Sequence, residues 1–439
     1  MLITIMKTPL LLALALTASI AHAENWPQWR GPNFNGSSTE KNLPAEFSKS
    51  NNVAWRAPLP GPSGATPVIF GDRVFVNSVD AVKKSRVALC LDRKTGALLW
   101  QQDVGPGITQ DDKSNFASPS PVTDGQFVYF YYGNGELVCF AMDGKKIWSR
   151  NIQKDHGAFA YQWTYSASPL LHGGKLYLQV LQRNVAVNGR GGAQNDSYLL
   201  ALDPKTGKDL WKHLRPSEAV AESLEAFSTP VPFTHQGRAE ILITGGDCIT
   251  GHNPETGKEL WRWGTWNPQK IGHWRLVPSP VAGAGVVLAC GPKNAPVFAV
   301  KLGGNGTLPD SSIAWQSTER DVTSDVPTPL FYNGKFYVLN GGKKQLLCVE
   351  PADGKVLWAG ALDTRAVFES SPTAADGKIY LMDHRGTVFV VSAATDGFKL
   401  LSSAAMGDEG DNNLRSSVAI SQGQVFVRTG QSLYCLGKK

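Results

Sequence analysis

Tyr198-Leu-Leu-Ala-Leu-Asp-Pro-Lys-Thr-Gly-Lys-Asp-Leu-Trp211 is the stretch from which most of this 439-residue chain is copied. An apolar run from Tyr198 to Leu202 meets a turn-forming Asp-Pro-Lys-Thr-Gly, and a second run ends on tryptophan. The pattern predicts a β-hairpin, with the Asp203 side chain capping the turn and Gly207 supplying a positive φ. The phrase returns as Ala88-Leu-Cys-Leu-Asp-Arg-Lys-Thr-Gly96 with Trp100 and as His252-Asn-Pro-Glu-Thr-Gly257 with Trp261. It returns again as Leu347-Cys-Val-Glu-Pro-Ala-Asp-Gly354 with Trp358. Shorter copies are Ala141-Met-Asp-Gly144 with Trp148 and Ala394-Thr-Asp-Gly397 with Leu401.

Each copy follows a second hairpin phrase, which opens on a Ser/Thr-Pro step, turns at glycine and ends in an aromatic-rich strand. Ser168-Pro-Leu-Leu-His-Gly-Gly-Lys-Leu-Tyr-Leu178 and Thr328-Pro-Leu-Phe-Tyr-Asn-Gly-Lys-Phe-Tyr-Val338 show it most clearly. Two hairpins make a four-stranded antiparallel unit, and repetition at roughly 45–50 residues predicts an all-β propeller whose blades stack radially.

Opening steps occur at Thr66, Ser120, Ser168, Thr229, Ser279, Thr328 and Ser371, with a degenerate one at Ser416-Ser417. Closing positions follow at Trp100, Trp148, Trp211, Trp261, Trp315, Trp358 and Leu401, one fewer than the openings. Trp55 closes a blade that never opened, while Ser432–Leu436 is a third strand with no fourth. Joining these ends predicts eight blades, closed by an N-terminal strand, Val53–Leu59, that completes the last blade and hides its edges.

The Ala-Leu-Asp-x-x-Thr-Gly-x-x-x-Trp phrasing resembles the PQQ repeat of eight-bladed quinoprotein-like propellers. That family includes the pyrroloquinoline-quinone (PQQ) alcohol dehydrogenases and the BamB-type outer-membrane assembly propellers. The opening Trp26-Pro-Gln-Trp-Arg-Gly-Pro32 is similar to the start of many exported members. The resemblance covers almost all of the chain after residue 23 and is specific for fold, since one propeller serves both enzymes and scaffolds. A dehydrogenase of this kind implies calcium held by Glu, Asn and Asp, an Asp base, a Trp floor under the quinone and, in many members, two adjacent cysteines. No two cysteines adjoin here. BamB-type relatives are usually anchored through an N-terminal cysteine, whereas Glu24 is the expected first residue after cleavage.

Residues 1–23 read as a cleaved signal peptide, with Lys7, the apolar run Leu10–Leu16 and the small-x-small site Ala21-His-Ala23. Periplasmic or secreted localisation is therefore expected, with no transmembrane segment. Residues 24–51 read as an arm packed on the propeller through its two tryptophans, and residues 52–439 as the propeller itself. The net charge of +6 includes Lys7, with no basic run, which argues against a nucleic-acid or anionic-membrane surface. Six cysteines in an exported chain would ordinarily suggest disulfides. The repeat register instead places Cys90, Cys348 and Cys435 in one small-residue column with Ala141, Ala201, Gly251 and Ala299, where Val391 stands out as larger. Equivalent positions on neighbouring blades lie ~10 Å apart, beyond disulfide reach, so these are expected as free buried thiols.

Ligands of propellers sit at the mouth of the central channel, among the connections leading into the innermost strands. Those connections hold the residues the repeat leaves unexplained. Trp163 and Tyr165 precede the third blade, Glu225 the fourth, and Trp274 with Arg275 the fifth. Asp321 and Asp325 precede the sixth, Arg365 and Glu369 the seventh, and Arg415 the eighth. Trp with Arg or Tyr suits a planar or sugar ligand bearing an anionic group. The alternative is a plug in which Glu225, Asp325 and Glu369 pair with Arg275, Arg365 and Arg415. No His-x-x-His, His-Glu-x-x-His or Gly-x-Ser-x-Gly spacing occurs, so no catalytic or metal-ligating residue is assigned. The expectation is a monomeric, noncatalytic exported propeller that binds an envelope protein, peptide or glycan without a cofactor. The alternative is a dehydrogenase of alcohols or sugars that depends on PQQ and calcium.

Overall fold

The template hairpin folds as its turn chemistry requires. Tyr198–Leu202 pairs antiparallel with Asp209–Leu214, Asp203 Oδ1 accepts from the N–H groups of Lys205 and Thr206 at 2.8 and 2.9 Å, and Gly207 has φ +70°. Leu170–His172 and Lys175–Val180 complete a blade. In this computed structural model, which describes residues 24–109, 111–264, 266–293, 295–318 and 322–438, the same four-stranded antiparallel unit occurs eight times. The fourth blade gains a short fifth strand, Gly306–Thr307, alongside Glu259–Trp263. The proposed signal peptide and Asp321 lie outside the described residues. Among those described, helix is limited to Ile152–His156 and two short 3-10 turns, and none is long and apolar enough to cross a membrane.

Burial grades outward, as it must when blades stack face to face around an axis. In the first blade every residue of Arg73–Asp80 except Arg73 is buried, whereas the outermost strand, Leu98–Pro106, alternates exposed and half-buried positions. Closure follows the expected course: Val53–Pro58 pairs antiparallel with Ser432–Leu436, with Trp55 opposite Cys435. The last blade therefore contains both the first and the last strand of the described chain.

The closing tryptophans join neighbouring blades. Trp55 donates from Nε1 to the Arg93 carbonyl at 2.7 Å, across the seam between the last blade and the first. Its ring lies so close to Gly96 that a Cβ there would come within 2.6 Å of it, which, with φ +73°, explains why this turn needs glycine. Trp100, Trp148, Trp315 and Trp358 bond in the same way to Met142, Pro204, Pro351 and Ala394 of the following blade.

The strand register corrects three expected alignments. The second hairpin turns one residue sooner, with Ala141 N–H bonded to Lys145 O where Asp203 N–H bonds to Lys208 O. Ala141 thus takes the aspartate position, and Cys139 faces Trp148 in the small-residue column. In the seventh blade the turn is longer, Ser392 to Lys399. Ser402 rather than Leu401 therefore occupies the closing position, opposite Val390 rather than Val391. All six cysteines are buried and unbridged, four of them in that column.

The arm does pack on the propeller, across the end of the channel opposite the connections. Trp26 exchanges backbone hydrogen bonds with Ile69 of the first blade, and Ser38 donates to Ala374 of the seventh. Between them Arg30 sends Nη1 to the Pro372 carbonyl and Nη2 to those of Asn35 and Pro329, all at 3.0 Å. A Cβ on Gly36 would lie 2.1 Å from Arg30 Nη2, so glycine makes room for the guanidinium.

Candidate binding site at the channel mouth

The Ser/Thr-Pro steps bring eight hydroxyls to the channel wall. A residue before proline is held extended, so every step leaves its blade alike and its Oγ meets the preceding blade's backbone. Thr66 N–H donates to Ser120 Oγ at 2.9 Å, Ser120 to Ser168 at 2.9 Å, Ser168 to Thr229 at 3.0 Å and Thr229 to Ser279 at 2.8 Å. Ser279 donates to Thr328 at 3.0 Å, Thr328 to Ser371 at 2.9 Å, Ser371 to Ser417 at 3.0 Å and Ser417 back to Thr66 at 3.1 Å. This is a closed circular belt, and in the degenerate last step Ser417 is the member.

Above the belt opens a cavity of about 230 Å³. Its floor includes Trp29 of the arm, and its rim carries Lys113, Trp163, Arg275, Glu369 and Arg415. With the arm across the far end, the cavity is a blind pit. A short 3-10 turn, Ala221–Leu224, positions one side of the rim. Glu222 Oε1 accepts from both Trp163 Nε1 and Arg275 Nη1 at 3.3 Å, and Ser223 Oγ accepts from Trp274 N–H at 2.8 Å. Lys113 Nζ lies 5.5 Å from the centre of the Trp163 ring. Across the pit Glu369 accepts from Arg415 Nε and lies 3.2 Å from His384 Nε2. Burial alone would raise the Glu369 carboxyl, but His384 and Arg415 outweigh it and hold it at about 2.

Of the residues singled out in the sequence, nine are described, and four of these, Trp163, Arg275, Glu369 and Arg415, line this pit. Tyr165 instead turns into the core between blades, where its hydroxyl donates to Gln179 O at 2.6 Å. Glu225 is fully buried behind the rim; it accepts from Arg183 Nε at 2.6 Å and Gln162 N–H at 3.1 Å, and burial pushes its carboxyl up to about 7. Trp274 packs against the hydrophobic cluster that includes Trp263, Trp266 and Phe298. Asp325 is exposed beside a separate crevice and accepts from Lys293 N–H at 2.9 Å. Arg365 is exposed and stands apart from the pit. Sequence reading missed Trp29 and Lys113, and chose Glu225 over Glu222 within the stretch Glu222–Glu225. Lys113 and Glu222 do lie in blade-to-blade connections, whereas nothing in the arm's composition pointed to the channel.

The rim therefore contains two ion pairs, Arg275–Glu222 and Arg415–Glu369, and only the second matches the expected partners. Among the described residues no three His, Cys, Asp or Glu side chains are grouped to hold a metal ion. The two rim carboxylates, Glu222 and Glu369, are already engaged by Arg275 and Arg415, so these donors do not fit calcium, which takes six to eight oxygens.

Comparison with known proteins agrees with this architecture. The profile of the family described as outer membrane protein assembly factor BamB matches residues 38–177, 83–308 and 306–436. A Pseudomonas polyvinylalcohol dehydrogenase is 27% identical over 169 residues, which are 36% of this chain and 24% of that relative, so the match spans about a quarter of its length. A europium-containing methanol dehydrogenase superposes with TM-score 0.69 at 12% identity, over 94% of this chain and 98% of that one. BamB from Moraxella catarrhalis superposes with TM-score 0.60 at 13% identity, over 88% of this chain and 99% of that one. At these identities the structural likeness is one of fold.

Proposed function

Because the chain belongs to the outer membrane protein assembly factor BamB family, we propose that it is an exported, noncatalytic propeller that captures an envelope protein, peptide or glycan at its channel mouth. The observation that carries this reading is the blind pit itself. Its rim offers an aromatic face at Trp163 and cationic donors at Arg275, Arg415 and Lys113, a combination suited to holding and orienting a ligand. Among the described residues nothing on the rim pairs a general base with a nucleophile. A volume of about 230 Å³ suits the end group of a larger partner, being below the usual range for drug-sized ligands.

The likeness to quinoprotein dehydrogenases supports a second reading, in which the pit holds PQQ. Trp163 with Arg275 and Arg415 would suit a planar, carboxylate-bearing ring system. The donor set lacks the oxygens for a calcium ion beside it, which favours the first reading.

Site-directed photo-crosslinking tests the proposal. A benzoylphenylalanine at position 163 should give discrete adducts with an envelope component in cells, and one at Val82, 91% exposed on the first blade, should not. Identical adduct patterns from the two positions would refute a binding role for the mouth.

A further inference from the structure

The belt and the arm together specify what the pit can hold. Each belt residue is at most 8% exposed, and each hydroxyl oxygen already accepts a backbone N–H. Among the described residues none of the eight hydroxyls donates to another protein group, and six of them line the pit. Seven of the eight are followed by proline, which has no N–H to offer and only a carbonyl. The pit wall is thus a circle of O–H donors whose hydrogens have no partner.

Arg30 adjoins this circle from the arm side, behind the pit wall, and lines a neighbouring crevice with Trp29, Thr229 and Pro230. Two of the three carbonyls it bonds belong to Pro329 and Pro372, the residues after belt members Thr328 and Ser371; the third is that of Asn35. Arg30 is 3% exposed, its described partners are all carbonyl oxygens, its Nε has no partner, and the guanidinium carbon lies 5.6 Å from the Trp29 ring. Burial pushes its pKa down to about 9, which leaves it charged at neutral pH. A buried cation without a counter-charge is costly unless an anion completes it. Above the belt, Lys113, Arg275 and Arg415 outnumber Glu222 and Glu369. The whole pit is therefore rich in donors and poor in acceptors, the reverse of what a neutral sugar, with its own hydroxyl donors, would require.

We propose that the pit is an oxyanion site, in which a carboxylate or phosphate group enters past Trp163, accepts from the belt hydroxyls and is favoured by the buried Arg30 charge behind them. This inference rests on the reading of the mouth as a binding site and names the chemistry of what enters it.

Calorimetric titration of the purified chain with inorganic phosphate, with citrate and with glycerol tests it. Saturable binding is expected for phosphate, citrate or both, and none for glycerol; which anion binds identifies the group. Arg30→Met, and separately the pair Ser168→Ala/Ser371→Ala on opposite sides of the belt, should each weaken that binding at least tenfold. Should Arg30→Met fail to fold, the serine pair decides. Absence of saturable binding by either anion would overturn the proposal, as would folded variants that bind as tightly as the parent. Either result would leave cross-linking from position 163 unaffected, so this inference can fail without the binding role failing.

Discussion

Replacing Trp55 by alanine should open the seam that holds the ring closed. The side chain is 8% exposed, packs over Gly96 and donates to Arg93 O at 2.7 Å. Truncating a buried tryptophan costs about 3–5 kcal/mol, and leaving the Arg93 carbonyl without its partner adds about 1 kcal/mol. An unfolding entropy of about 2.1 cal/mol/K per residue over roughly 400 residues converts a loss near 5 kcal/mol into a fall in Tm of about 6 °C. Trp358→Ala is the control, because that tryptophan makes the same contact inside the ring, 7% exposed and bonded to Ala394 O at 2.9 Å. Calorimetry should show comparable drops for the two variants. If Trp55→Ala melts within a degree of the parent while Trp358→Ala falls by several, the seam contributes no stability and the closure argument is wrong.

Other expectations follow from the same contacts. Glu225 keeps its proton up to about pH 7 in the folded chain but releases it near 4.3 when unfolded. Between those values the folded state binds more protons, so stability should fall as pH rises from about 4.3 to 7, by on the order of 3 kcal/mol. A Glu225→Gln variant whose urea midpoint shows the same pH slope as the parent would contradict that assignment. Burial pushes the Cys90, Cys139 and Cys435 thiols up to about 12 and Cys348 to about 11. Maleimide should therefore label them only after denaturation, without added reductant; a mass spectrum showing any of them bridged would be the contrary result.

The fold was legible because each blade carries its own turn chemistry, so eight copies could be counted one by one. Reading failed by one or two positions where a turn changes length, at Ala141 and Leu401, since the sequence shows the turn residues but not which backbone pair closes it. The Ser/Thr-Pro steps were visible as markers, yet their function was not. A hydrogen bond from Ser417 to Thr66 spans 351 positions and exists only once the ring is closed. The site was half legible for a similar reason. Unexplained aromatics and charges did mark the mouth, but within one connection only some side chains face the channel. Trp163 reaches the rim while Tyr165 turns into the core, and Glu222 rather than Glu225 meets Arg275. The floor was not legible at all, because the arm that supplies Trp29 has no period and its neighbour Arg30 meets a partner about 300 residues away.

The central claim is that the mouth binds and does not oxidise. Its most direct measurement is dye reduction by the purified chain after incubation with PQQ and calcium, using primary alcohols and aldoses as substrates. The account predicts a rate equal to the protein-free blank with and without calcium. Calcium-dependent turnover that disappears in Glu369→Gln would contradict it.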